Sequence, residues 1–208
     1  MTKLSILSMA CIVAVQSGLA CASDDDSLPM AGAGGSGGGS TGVAGTAAGD
    51  DGGLSTMAED LTDAEMLDVL DAASESQVER GRIAEGKAQN PAVRAFASKL
   101  VKDYTIIAYS AAVTANTMGL TPSTNDVATM VTSMGDAVTQ GMNTMPSGAE
   151  FDRKYMDVQI EAERSMLAVV DPMLTHADGT PLRALLADTL QANQRHFDEA
   201  SLIRFALK

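Results

Sequence analysis

The stretch Asn90-Pro91-Ala92-Val93-Arg94-Ala95-Phe96-Ala97-Ser98-Lys99-Leu100-Val101-Lys102-Asp103-Tyr104 decides the fold. Asn90 supplies a side-chain acceptor for an N-cap, and Pro91 suits a first helical position, where its missing N–H is no loss. Val93, Phe96, Ala97, Leu100, Val101 and Tyr104 then recur at intervals of three and four, and Ile107, Ala108 and Ala111 carry the pattern on until Gly119. That spacing predicts one long amphipathic helix with a single buried face.

Working outward, the same reasoning finds further helices. Upstream, Thr62 and Glu65 form a capping box, and Met66, Leu67, Leu70, Ala73, Val78 and Ile83 keep helical register to about Ala88, with one drift near Ser74 to Ser76. Downstream of Pro122, Val127, Met130, Val131, Met134, Val138 and Met142 are helically spaced between Asn125 and about Thr144. Gly135 and Gly141 interrupt them, each at a cost of about 1 kcal/mol relative to Ala, so a weak or broken helix is expected. After Pro146-Ser147-Gly148, the series Phe151, Tyr155, Val158, Ala162, Met166, Val169, Met173 marks another long helix, which Pro172 is expected to kink or end. Thr180-Pro181 opens the last, along Leu182, Leu185, Leu186, Thr189, Ala192, His196, Ala200 and Ile203.

Composition agrees. Hydrophobic residues make up 45% of the chain but aromatics only 3%, with no Trp, so Ala, Leu, Val, Ile and Met must fill the interior. That palette suits close helix packing, and period-two runs of β-branched residues are absent. Four long helices and one short connector give an all-α antiparallel bundle over residues 58–208.

The first fifty residues read differently. Lys3 precedes an apolar run from Leu4 to Val15, about a dozen residues, where a membrane-spanning helix needs ~20. Gly18-Leu19-Ala20-Cys21 resembles a bacterial lipobox, which makes residues 1–20 a lipoprotein-type signal peptide and Cys21 the lipidation site, anchored in a lipid bilayer. Ala20-Cys21-Ala22 also fits ordinary small-x-small cleavage, so the alternative is a soluble periplasmic or secreted protein cut near Ala22. Ala22 and Ser23 lack the aspartate that retains some lipoproteins at the inner membrane, which favours the outer membrane, facing the periplasm. Within residues 21–57, the stretch 24–53 carries Asp24-Asp25-Asp26, Asp50-Asp51 and most of the glycines, with almost no large apolar side chain. Such a composition gives a disordered spacer; roughly 30 residues of Gly-rich coil span ~30 Å. Without the leader, Cys21 is the only thiol, so no internal disulfide forms.

The formal charge of −13 argues against nucleic acid, which requires clustered Lys and Arg. Catalytic signatures are also missing: no Gly-x-Ser-x-Gly, no phosphate-cradling loop, and two histidines in all, of which only His196 falls in a core register. A non-enzymatic protein is expected, with an envelope protein as a partner.

The residues also carry a family resemblance. Asn90 to Ala97, then Asp103, then Ser147-Gly148-Ala149-Glu150-Phe151-Asp152-Arg153-Lys154-Tyr155-Met156, then Thr189-Leu190 and His196 resemble the bacterial family catalogued as domain of unknown function 4142. The motif positions are Phe96, Asp103, Phe151, Asp152, Tyr155 and His196. The resemblance implies a ferritin-like helical bundle in an exported or envelope-associated protein. It also implies polar, potentially metal-binding residues on facing helices: an acid on the first, an Asp-His pair on the second, another on the fourth segment and a His on the last. Here the first acid falls on Gln77 with Glu79 two residues on, the pairs read Asp103-Tyr104 and Ala162-Glu163, and His196 closes the set. The candidate metal ligands are thus Glu79, Asp103, Glu163 and His196.

A di-iron bundle draws on two Glu-x-x-His pairs, and none occurs; His176, after Pro172, is a poor substitute. No cofactor is expected, the alternative being a weak site for Fe, Mn or Zn in a degenerate ferritin-like protein. Each candidate has a plainer role: His196 as a core-edge imidazole bonded to a carboxylate, Glu79 in solvent beside Arg82, Asp103 paired with Lys99, Glu163 on a solvated face with Arg164. Tyr104 keeps a polar tip where the family has histidine, which suits a hydrogen bond. Met118, Met130, Met134, Met142 and Met145 suggest thioether ligands for Cu(I), but they alternate with Val and Ala as core filler does, and a groove for an amphipathic helix fits them better.

Overall fold

The structure is a computed structural model that describes residues 51–207. The leader, Cys21 and almost all of the expected spacer lie outside the described residues. The described chain forms six helices and no strand: α1 (Asp51–Ala58), α2 (Asp63–Lys87), α3 (Pro91–Met118), α4 (Asp126–Thr144), α5 (Ala149–His176) and α6 (Thr180–Ala206). None of them is long and apolar enough to cross a membrane.

The helix starts follow from local chemistry. Thr62 and Glu65 make the full capping box at α2, Asn90 caps α3 through Ala92 N–H with Pro91 behind it, and Asn125 caps α4 through Ala128 N–H. Gly119 ends α3 in the left-handed conformation, at φ 65°.

Two buried or half-buried acids tie the ends of helices together. Asp63, at the start of α2, accepts from the N–H groups of Asp178 and Gly179 at 2.9 Å each, which sets the α5–α6 turn beside the start of α2. Asp152, in the first turn of α5, accepts from Gln89 N–H at 3.0 Å and Asn90 N–H at 2.8 Å, which fixes the α2–α3 turn beside the start of α5. At the far end of α4, Lys87 donates from Nζ to the carbonyls of Met142, Asn143 and Met145, groups the helix cannot satisfy itself. These ties make α2 antiparallel to α5 and parallel to α4.

α3 packs on α2 and α6, and α5 on α6, while α1 covers part of α5 and α4 lies along α2. Two apolar clusters result. One gathers Met66, Leu70, Val169, Met173, Leu182 and Leu186 near the start of α2, and the other gathers Phe96, Leu100, Tyr104, Phe151, Tyr155 and Met156 near its end. Between them lies a layer of polar side chains.

Three expectations need correction. The first helix begins inside the segment read as spacer: α1 starts at Asp51 and buries Leu54 and Ala58, so the boundary at residue 58 falls at the end of a packed helix. α4 is one unbroken helix. Gly135 lets it touch α2, since a Cβ there would overlap the Ser76 side chain. That contact, with Gly81 against Ala97 and Val101 of α3, explains the register drift: α2 is covered on several sides, so its buried residues do not form one stripe. Finally, Pro172 does not end α5, which continues to His176.

Candidate functional site

The polar layer is built from two or three side chains from each of four helices at inward-facing positions. Gln77 and Arg80 come from α2, Asp103 and Tyr104 from α3, Tyr155, Gln159 and Glu163 from α5, and Asn193 and His196 from α6. Glu163 and His196 are both 0% exposed. Tyr104 is the hub: its hydroxyl lies 2.9 Å from Glu163 Oε2 and 3.0 Å from Asn193 Oδ1, and Gln77 Nε2 donates to Glu163 Oε1 at 3.1 Å. His196 Nε2 is 2.9 Å from Asp103 Oδ2, and its Nδ1 is 3.8 Å from Glu163 Oε1, too far for a hydrogen bond.

Burial dominates the electrostatics. It pushes the Glu163 carboxyl up to about 8, against which the Tyr104 hydrogen bond and the positive field of Arg80 act in the opposite sense. At neutral pH Glu163 is therefore protonated, which resolves the bonding: its O–H donates to the Tyr104 oxygen, and the Tyr104 O–H goes to Asn193 Oδ1. Burial also raises the Tyr104 hydroxyl and lowers the His196 imidazole, the latter partly offset by Asp103. A neutral His196 thus donates Nε2–H to the Asp103 carboxylate.

The structure gathers three of the four candidate ligands. Asp103, Glu163 and His196 form a line, whereas Glu79 is exposed on the other side of α2. The imidazole separates the two carboxyl groups, one at each ring nitrogen, so they do not face a common point. Among the described residues no group of three His, Cys, Asp or Glu side chains is placed to hold a metal ion. With Glu163 neutral and one imidazole present, this donor set does not fit a two-metal carboxylate centre.

Several plainer roles change as well. Lys99 pairs with Glu199, leaving Asp103 to His196, and Arg164 pairs with Glu161, leaving Glu163 in the core. Asp152 holds backbone, Phe151 and Tyr155 stack at 6.3 Å between ring centroids, and Phe96 stands edge-on to both Tyr155 and His196. These motif positions build the frame around the polar layer. His176 is exposed, with Nδ1 2.9 Å from Pro172 O. Among Met118, Met130, Met134, Met142 and Met145, Met142 is buried while Met130 and Met134 are exposed, Met134 at the edge of a concavity.

Sequence reasoning missed Arg80, Gln159 and Asn193. Each falls in an apolar register, Arg80 with Ala73, Gln77 and Ala84, for example, and a charged residue in such a series was the available signal. Arg80 is 7% exposed, and its Nε makes no hydrogen bond. Gln77 Oε1, both Gln159 amide atoms, the Tyr155 hydroxyl, Asn193 Nδ2 and His196 Nδ1 are likewise buried without a partner.

Gln77 and Arg80 also form the floor of an open concavity. Because α2 and α5 approach each other little, a cleft of about 370 Å³ runs between them, walled by α4 on one side and reaching α1 at one end. Its walls are aliphatic and thioether groups: Val131, Met134 and Val138 from α4, Val158, Met166 and Val169 from α5. The volume is in the usual range for small-ligand sites.

No curated protein and no solved structure matches the chain. The family described as Domain of unknown function (DUF4142) matches residues 48–203, from ahead of α1 into the last turn of α6, and the chain belongs to that family.

Proposed function

We propose that this protein is a cell-envelope lipoprotein, tethered through acylated Cys21 at the outer membrane, whose ferritin-like antiparallel bundle is a non-catalytic binding module. One observation carries the binding part. The titratable core groups are sealed, Glu163 and His196 having no exposure, while the open concavity beside them is lined by apolar side chains. A base with no path to a substrate does not catalyse, and an apolar cleft with polar groups at its floor binds. The spacer gives the domain reach from a lipid surface.

Two experiments test this reading. Labelled palmitate should enter the wild-type chain and not Cys21→Ser. Nile red should bind the Cys21→Ser chain saturably at one site and lose that binding in Ala162→Phe, which fills the cleft from α5. Absence of saturable binding to the folded protein would remove the binding role.

A second reading, a degenerate ferritin-like protein with a single divalent-metal site, draws on His196 Nδ1, which is unpartnered 3.8 Å from Glu163 Oε1. It requires near-stoichiometric Fe, Mn or Zn that is lost in His196→Ala, measured by elemental analysis of protein purified without chelator.

A further inference from the structure

The cleft has two unlike ends. Asp152 holds the α2–α3 turn against the start of α5 and Gln77 reaches Glu163, so Lys154 marks one end of the cleft, with Arg80, one turn on from Gln77, standing about 9 Å further along α5. Leu54, Met166 and Val169 belong to the other. Along α5 the span from Lys154 to Val169 is about 22 Å at the helical rise.

The charged end lacks a counter-ion. Arg80 is buried, its Nε is unpartnered, and it makes no ion pair among the described residues. A buried guanidinium keeps its charge and is costly without an anion beside it. The buried Glu163 carboxyl forms no ion pair with it and is engaged by Gln77 and Tyr104 instead. Lys154, on the exposed rim, also has no ion-pair partner among the described residues. The two acids that line the cleft are both taken: Asp157 pairs with Arg204, and Glu161 with Arg164. Repulsion from the distant acidic surface is screened beyond about 8 Å at physiological salt.

We propose that the cleft between α2, α4 and α5 binds a single-chain anionic amphiphile, a long-chain carboxylate, with its headgroup on Arg80 and Lys154 and its hydrocarbon along Val131, Val138, Val158, Met166 and Val169. This rests on the reading of the cleft as a binding site and adds the class of ligand. The carboxylate supplies the anion that Arg80 lacks, and the flexible Met134 and Met166 side chains adapt to the hydrocarbon.

The test uses the full chain carrying Cys21→Ser, which needs no detergent, and follows displacement of Nile red by dodecanoate and by uncharged dodecanol. Dodecanoate should displace at the lower concentration, and lengthening the acid from octanoate should tighten binding by up to about fourfold per methylene. Arg80→Met should weaken dodecanoate by about 10- to 100-fold, the loss expected for a hydrogen bond to a charged group, and leave dodecanol nearly unchanged. Lys154→Gln, on the rim and unable to unfold the core, should weaken dodecanoate alone by a smaller factor, and it decides the matter if circular dichroism shows Arg80→Met unfolded. Equal displacement by acid and alcohol in the wild type, or an acid preference that survives both substitutions, overturns the anionic ligand while leaving the cleft a binding site. Failure of Nile red itself to bind overturns both.

Discussion

At the scale of single residues, the polar layer is a folding constraint before it is anything else. Glu163 has a folded-state pKa raised from 4.5 to about 8, so its contribution to stability is full below pH 4.5 and is lost as pH rises toward 8. His196 is lowered, so its contribution is full above about pH 6.5 and is lost as pH falls below that. Above about pH 6.5, where the His196 contribution is complete, the Glu163 loss is unopposed, so stability should fall toward pH 8. Glu163→Gln, which keeps the shape and removes the charge, should match wild type near pH 5 and exceed it at pH 8 by on the order of a few kcal/mol in urea unfolding. A wild type that loses no stability between pH 5 and pH 8 would contradict the buried, protonated carboxyl. Asp152 is a separate case: Asp152→Ala strands the Gln89 and Asn90 N–H groups and should cost about 2–3 kcal/mol in the same measurement.

How far such residues can be read from sequence depends on angle. Asp103, Glu163 and His196 were legible through the family resemblance, and His196 also falls in the apolar register of its helix. Glu79 was misplaced because two residues on from Gln77 is about 200° around an α-helix, on the opposite face. The solvated role expected of Glu163 failed for a related reason, since adjacent Arg164 points elsewhere and pairs with Glu161. Arg80 went unread because an arginine in a helix ordinarily extends its charge to water. Only the gap between α2 and α5 shows why this one stays inside.

At the scale of elements, long periodic helices were legible and the irregular ones were not. Glycine content alone suggested a broken α4, yet its two interior glycines differ. Gly135 faces Ser76 with no room for a side chain, whereas Gly141 has open space around it. Gly141→Ala should thus stabilise the protein by about 0.5–1 kcal/mol, and Gly135→Ala should destabilise it by about 1–3 kcal/mol by forcing α4 off α2. Thermal melts of the two variants check this, and a shift in the same direction for both would show that no close α2–α4 contact exists. α1 escaped notice because Gly52 and Gly53 sit at its start and its eight residues carry little helical signal. Leu54 nonetheless packs on the core, and Leu54→Ala should cost about 2 kcal/mol, which urea unfolding would register.

At the scale of the whole molecule, family membership and fold class were within reach of the sequence, but the cleft was not. It arises because α4 lies along α2, a matter of how helices separated by up to a hundred residues settle against one another. The described helices carry a buried polar layer and, beside it, an apolar cleft with a buried cation, Arg80, at its floor. A crystal structure of the Cys21→Ser chain grown with dodecanoate tests that combination most directly. The account predicts a hydrocarbon lying between α4 and α5, with its carboxylate within hydrogen-bond distance of the Arg80 guanidinium. A closed cleft, with Met134 packed onto Val158 and the fatty acid absent or seated elsewhere, would contradict it.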